Sequence, residues 1–159
     1  NADVEGAVEA IREIPDVFIG AKIRNGAHII GEGDQGRRHG EMAIEIAERS
    51  GTFLMTHISN PPIPMSEWLG MLRPGDIVTH SFKTGENNLF EDDNRLIPAA
   101  WEARQRGVVF DLGHGAGSFE LARARAALDQ GFHPDTISTD LHVGNINGQG
   151  VRPEGQLAK

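Results

Sequence analysis

The sequence predicts an α/β fold in which parallel strands alternate with helices. Short apolar runs rich in β-branched residues alternate with segments whose apolar residues recur at helical spacing. The apolar runs begin at residues 17, 53, 76, 108 and 136, about 30 residues apart. Repeated strand–helix–strand units at this spacing give parallel strands joined by right-handed crossovers. Two architectures fit this pattern, an open doubly wound sheet and part of a (β/α)8 barrel.

Five strands are predicted from these apolar runs. They span residues 17–23, 53–59, 76–82, 108–114 and 136–142. No glycine-rich phosphate-binding motif follows the first of them, which argues against a dinucleotide-binding domain. We find no linker, repeat or charge block, so the sequence predicts one domain over residues 1–159.

Helices are predicted before the first strand and in each gap between strands. They span residues 4–14, 38–50, 66–72, 96–106 and 119–130. The last four are followed closely by residues that stop helices, which are Gly51, Pro74, Gly107 and Gly131. Ser66 and Ser118 precede apolar helical segments and are predicted to cap them.

Composition excludes several classes of protein. The net charge of −8 argues against a nucleic-acid-binding protein, because a surface that binds phosphates is normally basic. No apolar run approaches the roughly 18–20 residues of a membrane helix, and we expect a cytoplasmic location. The chain has no cysteine, so it has neither a disulfide scaffold nor a thiolate zinc site. A metal site would need His, Asp, Glu or lysine-derived ligands.

The main functional signal is an ionisable residue near the C-terminal end of each predicted strand. These residues are Lys22, His57, His80, His114, Asp140 and His142. An ionisable side chain in an apolar strand is costly unless it is paired or metal-bound. In a (β/α)8 barrel the active site is built at this end of the strands. Alternation along the strands places Lys22 with Gly20, His57 with Met55, and His80 with Val78.

Five strings carry a resemblance to a known family. They are GAKIR (20–24), MTHISNPP (55–62), RPGDIVTHSF (73–82), FDLGHGAGSF (110–119) and PDTISTDLH (134–142). Together they resemble the amidohydrolase superfamily of metal-dependent hydrolases, and within it the deacetylase/dihydroorotase-like branch. The resemblance covers most of residues 17–147. It implies a partial (β/α)8 barrel whose five strands correspond to strands four to eight of the family, in a catalytic domain truncated on its N-terminal side.

The resemblance also implies a chemistry and a set of ligands. Lys22 matches a lysine that reacts with CO2 to give a carbamate bridging two metal ions, and His57 and His80 match imidazole ligands of one of them. Asp140 matches a ligand of the other metal that also acts as the general base. The implied reaction is cleavage of the C–N bond of an amide or cyclic amide by metal-activated hydroxide, with zinc as the expected ion.

The sequence departs from this family at the first metal-binding motif. The family supplies a His-x-His pair from its first strand, and no such pair occurs in this chain. One of two metals would keep only Lys22 and Asp140. We therefore expect the isolated polypeptide to be weakly active or inactive.

Four further residues are candidates for substrate binding. They are Arg24, His114, Gly115 and His142. The glycine-rich turn that contains His114 and Gly115 suits an anion such as a substrate carboxylate, and it equally suits a flexible loop. Arg24 fits a substrate carboxylate or the protein surface, and His142 fits either substrate positioning or a structural role.

Two alternative functions remain open from the sequence. One is a lactonase or phosphotriesterase-like esterase, which uses the same metal core. The other is an inactive, truncated metal-binding fragment. Five strands leave two unpaired sheet edges, which favours a homo-oligomer or another association through those edges.

Overall fold

The protein is described by a computed structural model that covers residues 3–115 and 117–141. Its sheet has four parallel strands, which lie side by side in chain order. The strands are β1 (Gly20–Asn25), β2 (Phe53–Ile58), β3 (Ile77–Thr79) and β4 (Val109–Asp111). The helices are α1 (Val4–Glu13), α2 (Ala27–Ile30), α3 (Gly33–Ser50), α4 (Met65–Met71), α5 (Pro98–Arg106) and α6 (Leu121–Asp129). This is the α/β architecture with a parallel sheet that the sequence predicts.

Local sequence signals explain where several helices begin and end. Helix α1 begins after Asp3, whose carboxylate accepts a hydrogen bond from the Gly6 amide at 3.0 Å. Helix α3 ends at Gly51, which adopts φ 70° and donates its amide back to the last turn. Helix α5 has a proline in its first turn and ends at Gly107, with φ 98°. The glycine stop signals therefore act as the sequence predicts.

The hydrophobic core lies on one face of the sheet. Alternate residues of β2 are fully buried, and the residues between them are half-buried. The core is built from large side chains of strands, helices and loops, which include Leu54, Ile58, Trp68, Val78, Phe82, Phe110 and Phe132. Helix α3 approaches this core closely, because a Cβ on Gly40 would lie 2.5 Å from the Trp68 ring. The opposite face of β2 carries the half-buried side chains of Phe53, Met55 and His57.

The predicted fifth strand is not a regular strand, although its residues occupy the fifth position. Thr136 forms a parallel bridge with Asp111 at the edge of β4. Further along, the amides of His114 and Gly115 donate to the carbonyls of Ser138 and Thr139 at 2.9 and 3.1 Å. The pairing is irregular because Gly113 and Gly115 leave the extended conformation, with φ 54° and 45°.

Several predicted boundaries also differ from the structure; for example, the strands predicted over 76–82 and 108–114 are shorter, and α3 begins at Gly33 and not at residue 38. Residues 17–19 lie outside β1, because the amides of Val17 and Phe18 donate to the Ile14 carbonyl in a turn after α1. Ser66 lies inside α4, whose N-cap is Pro64, so it does not cap that helix. Ser118 does not cap α6 either, since that helix begins at Leu121. Within residues 3–115 and 117–141, no helix has the length and apolar character to cross a membrane.

Candidate active site

One face of the sheet carries the site residues in register. Partner residues on neighbouring parallel strands point to the same side of the sheet. One row across the four strands consists of Arg24, His57, Thr79 and Asp111. The row behind it consists of Lys22, Met55, Ile77 and Val109. The more polar row lies toward the C-terminal ends of the strands, where the sequence predicts the site.

An unusual backbone conformation brings the side chain of His80 next to His57 in this row. Strand β3 ends at Thr79, and His80 has φ 68°, in the left-handed region. The prediction that His80 shares a face with Val78 is therefore wrong, because the turn interrupts the alternation of the strand. The imidazole packs instead against His57, with ring centroids 4.2 Å apart and ring planes at 80°. His80 is 1% exposed.

A backbone carbonyl fixes the tautomer of His80. Its Nδ1 lies 2.6 Å from the carbonyl oxygen of Gly113. Because a carbonyl can only accept, Nδ1 carries the proton and Nε2 keeps its lone pair. Nε2 in turn lies 3.9 Å from Oδ2 of Asp140. The ring is thus oriented with its basic nitrogen toward the carboxylate.

Gly113 is required for this contact. A Cβ at this position would lie 2.7 Å from the His80 amide nitrogen and 2.9 Å from Nδ1, and it would overlap the hydroxyl of Thr79. Such distances are shorter than van der Waals contact. A side chain here would displace either the His80 ring or the Thr79 hydroxyl.

Burial and neighbouring cations keep both imidazoles neutral. Burial, together with the nearby charges of His80, Arg24, Lys83 and Lys22, lowers the pKa of His57 to about 4. Burial also lowers the pKa of His80, partly opposed by the hydrogen bond to Gly113 and by the charge of Asp140. Both rings therefore present a lone pair at neutral pH, as metal ligands must.

The buried carboxylate of Asp111 ties the segment that carries Asp140 to the sheet. It accepts hydrogen bonds from the hydroxyls of Thr79 at 2.6 Å, Thr136 at 2.8 Å and Ser138 at 2.7 Å. Thr79 precedes His80, and Ser138 lies two residues before Asp140. Asp111 therefore connects the two chain segments whose side chains face each other as His80 and Asp140.

Asp140 itself has a left-handed backbone conformation, with φ 49°. Its side chain is 46% exposed, so the carboxylate is open to solvent on one side. A Cβ added to Gly115 would lie 3.1 Å from its Oδ2. The glycine therefore allows the carboxylate to lie close to the backbone after β4.

Known proteins are similar to this chain in both sequence and fold. A deacetylase of Enterococcus faecalis is 37% identical over 139 residues, which are 86% of this chain and 37% of that protein. A deacetylase of Agrobacterium fabrum is 33% identical over 147 residues, which are 92% of this chain and 36% of that protein. No protein-family model matches the chain.

Solved structures agree with these sequence relatives. The crystal structure of an adenine deaminase superposes with a TM-score of 0.85 at 34% identity, covering 92% of this chain and 40% of that one. A dihydroorotase superposes with a TM-score of 0.79 at 33% identity, covering 88% of this chain and 38% of that one. The chain belongs to the amidohydrolase superfamily. The resemblance seen in the five sequence strings is thus confirmed, and the fold is that of a partial (β/α)8 barrel.

This amidohydrolase chain spans about two fifths or less of the length of the relatives it matches. It places one predicted metal ligand, His80, next to each of two others, the His57 ring and the Asp140 carboxylate. Lys22 is exposed on the same face one row behind His57, and its charge lowers the pKa of both histidines. Within residues 3–115 and 117–141, no three His, Asp or Glu side chains form a group that could hold a metal ion by themselves.

The predicted substrate-binding residues of the amidohydrolase chain differ in exposure and in their contacts. Arg24 is exposed opposite His57 on the neighbouring strand. The ring of His114 stacks on Phe119 at 4.8 Å and 19°, and neither ring nitrogen has a hydrogen-bond partner among the residues described. The amides of His114 and Gly115 already pair with residues 138 and 139, so they are not free for an anion. His142 lies outside the described residues.

Sequence reasoning missed the residues that support the site. These are Ser59, Thr79, Lys83, Asp111 and Gly113. Asp111 offered a signal, because it is an acid in the middle of an apolar run that ends in a glycine-rich turn. Lys83 offered a weaker one, since it follows His80 by three residues. Their partners belong to other strands and loops, so only the folded chain identifies their roles.

Proposed function

We propose that this chain forms part of the catalytic domain of a hydrolase that cleaves the C–N bond of an amide or cyclic amide. The observation that carries the proposal is the contact of the His57 and His80 rings, with the Asp140 carboxylate 3.9 Å from His80 Nε2. The names of its relatives, a deacetylase, an adenine deaminase and a dihydroorotase, support hydrolysis of C–N bonds. The activity of the whole protein is part of this proposal, because the chain spans only part of the length of these relatives.

The residues of this chain fit a divalent metal ion. Two neutral imidazoles lie in contact, and one of them has its Nδ1 proton held by the Gly113 carbonyl, as is typical of a metal-binding histidine. His57 and His80 would hold the ion, and Lys22 would join them once its amine has become a carbamate. A bound zinc ion would supply a Lewis acid for the scissile carbonyl and would lower the pKa of water.

Asp140 would act as the general base of the reaction. Its carboxylate is half-exposed, so it can reach a water molecule in the site, and the contact with His80 Nε2 places it beside the imidazole pair. Asp140 would take a proton from the attacking water and donate it to the leaving nitrogen. The Asp111 carboxylate, through Ser138, would keep the Asp140 segment in place during that transfer.

Metal binding provides the first test. We expect Co²⁺ to bind with a visible absorption spectrum that reports imidazole ligands, and His57→Asn and His80→Asn each to weaken binding by at least about tenfold. His133→Asn is the control, because His133 is exposed and lies away from the site. Unchanged affinity in both site variants would contradict the proposal.

A substrate panel provides the second test. We expect an N-acetylated amino acid or a cyclic amide to be hydrolysed in preference to a lactone. Because the sequence has no His-x-His pair, turnover should be far below that of a full-length relative such as the E. faecalis deacetylase. Hydrolysis of the lactone alone would favour the esterase alternative.

A further inference from the structure

Two cations near His57 take no part in the reaction proposed above. Arg24 lies directly opposite His57 on β1. Lys83 lies close enough for its charge to lower the pKa of His57, and its ammonium donates a hydrogen bond to the Ser59 hydroxyl at 3.2 Å. Ser59 follows His57 by two residues and continues the pairing of β2 with β1 through its amide, which donates to the Asn25 carbonyl at 3.0 Å. By alternation, Ser59 and His57 point to the same face.

The side chain of Lys83 is half-buried. Within residues 3–115 and 117–141, no carboxylate forms an ion pair with Lys83 or with Arg24. Charges removed from water are normally paired, because an unpaired charge loses its hydration without compensation. Among the same residues, the neutral Ser59 hydroxyl is the only hydrogen-bond partner of the Lys83 ammonium.

The charges around His57 are positive, whereas the net charge of the chain is negative. The chain carries a net charge of −8, yet three cations act on His57, which are Arg24, Lys83 and Lys22. Conversion of Lys22 to a carbamate would remove one positive charge and leave the other two. A local positive field in an acidic protein attracts anionic ligands to that place.

We propose that Lys83, held by Ser59, forms with Arg24 a subsite for the carboxylate of a small-molecule substrate, next to His57. The planar fork of Arg24 would bind the two carboxylate oxygens, and the ammonium of Lys83 would bind one of them as a point charge. This deepens the function proposed above, because it specifies an amide that carries a carboxylate. Lys83 is a positioning and specificity residue here, and the Ser59 hydroxyl sets where its ammonium lies.

The test uses metal-free protein and two matched ligands, N-acetylglycine and neutral N-acetylglycinamide. Binding is followed by chemical-shift titration of the His57 ring and of backbone amides. We expect the wild type to bind N-acetylglycine at least about tenfold more tightly than N-acetylglycinamide. Lys83→Met should abolish that preference without changing the affinity for the neutral ligand, and Lys83→Arg should retain most of it.

Arg125→Met is the matched control, since it removes one positive charge from an exposed position on α6. It should leave both affinities unchanged. If Lys83→Met retains the preference for N-acetylglycine, or lowers the affinity for both ligands equally, the proposed subsite is wrong. If inorganic phosphate binds the wild type more tightly than N-acetylglycine does, and needs Lys83 to do so, the carboxylate assignment is overturned.

A measurement on the wild type covers the case in which Lys83→Met fails to fold. The Nζ and Cε resonances of Lys83 should shift on addition of N-acetylglycine with the same dissociation constant as the His57 ring. Lys83 resonances that do not move would overturn the subsite. Because no metal or turnover enters these measurements, they succeed or fail independently of Co²⁺ binding by His57 and His80.

Discussion

The imidazole of His80 stands edge-on to that of His57, 4.2 Å away between ring centroids, while the Gly113 carbonyl holds its Nδ1 proton at 2.6 Å. His57 lies in the extended strand β2, whereas His80 directly follows β3 and has a left-handed backbone conformation. Three chain segments must therefore be in place before this pair can form.

Gly113→Ala should destabilise the protein and displace His80. The new Cβ would meet the His80 backbone and ring, and φ 54° is unfavourable for alanine. The combined cost of the clash and the backbone strain should be about 2–4 kcal/mol in the free energy of unfolding, measured by urea denaturation.

Gly33→Ala is the matched control for this substitution. Gly33 has φ 51°, and a Cβ there would have no atom within 4 Å. Its cost should be that of the backbone strain alone, about 1–2 kcal/mol. Equal losses in the two variants would show that the contact with His80 contributes nothing.

Asp111→Ala should detach the segment that carries Asp140. The substitution leaves the hydroxyls of Thr79, Thr136 and Ser138 without their acceptor, at a cost of at least about 3 kcal/mol. Hydrogen exchange should show the loss locally, as faster exchange of the His114 amide, which donates to the Ser138 carbonyl.

An exposed acid provides the comparison for Asp111. Asp92→Ala removes a carboxylate from the surface and should change stability by less than about 0.5 kcal/mol. If Asp111→Ala were equally mild and left exchange of the His114 amide unchanged, the hydroxyl network would not hold the segment.

Asp76→Ala should lower stability without affecting the site. Asp76 is fully buried at the other end of the sheet, where it accepts from the Leu54 amide and pairs with the Arg73 guanidinium, both at 2.8 Å. Removing a buried partner of an ion pair costs about 3–5 kcal/mol. Thermal unfolding measures this loss, and Co²⁺ affinity of the folded variant should stay within about threefold of the wild type. A tenfold loss of Co²⁺ affinity would show that the two ends are coupled.

The outer edge of β1, which pairs with no other strand among the residues described, should promote association of the protein. Val17 and Ile19, which precede the edge strand β1, are 66% and 71% exposed. An unpaired edge next to exposed apolar side chains favours pairing with another chain. Light scattering after size exclusion should show a mass that rises with protein concentration, and Ile19→Lys should shift the population toward monomer.

Gln105→Lys is the control, since it adds the same charge to an exposed position on α5. It should leave the association unchanged. A wild-type protein that remains monomeric at every concentration would contradict the prediction.

The sequence alone determined the architecture of this protein. Alternation of apolar strands with helices of regular length predicted a parallel α/β sheet, because each pattern is a local property of neighbouring residues. Helix ends at Gly51 and Gly107 were also predictable, since a left-handed residue after a helix favours glycine. Strand period also predicted that Lys22 shares a face with Gly20 and His57 with Met55, whereas the register that puts Lys22 and His57 on one side of the sheet is a property of the fold.

Only the tertiary structure decided how the site is assembled. Strand period predicted the wrong neighbours for His80, because its backbone turns at a point that contacts with Gly113 and His57 determine. The role of Asp111 depends on hydroxyls 25 to 32 residues away in the chain, and that of Lys83 on a serine 24 residues earlier. Such contacts are set by packing between strands, and no local pattern in the sequence encodes them.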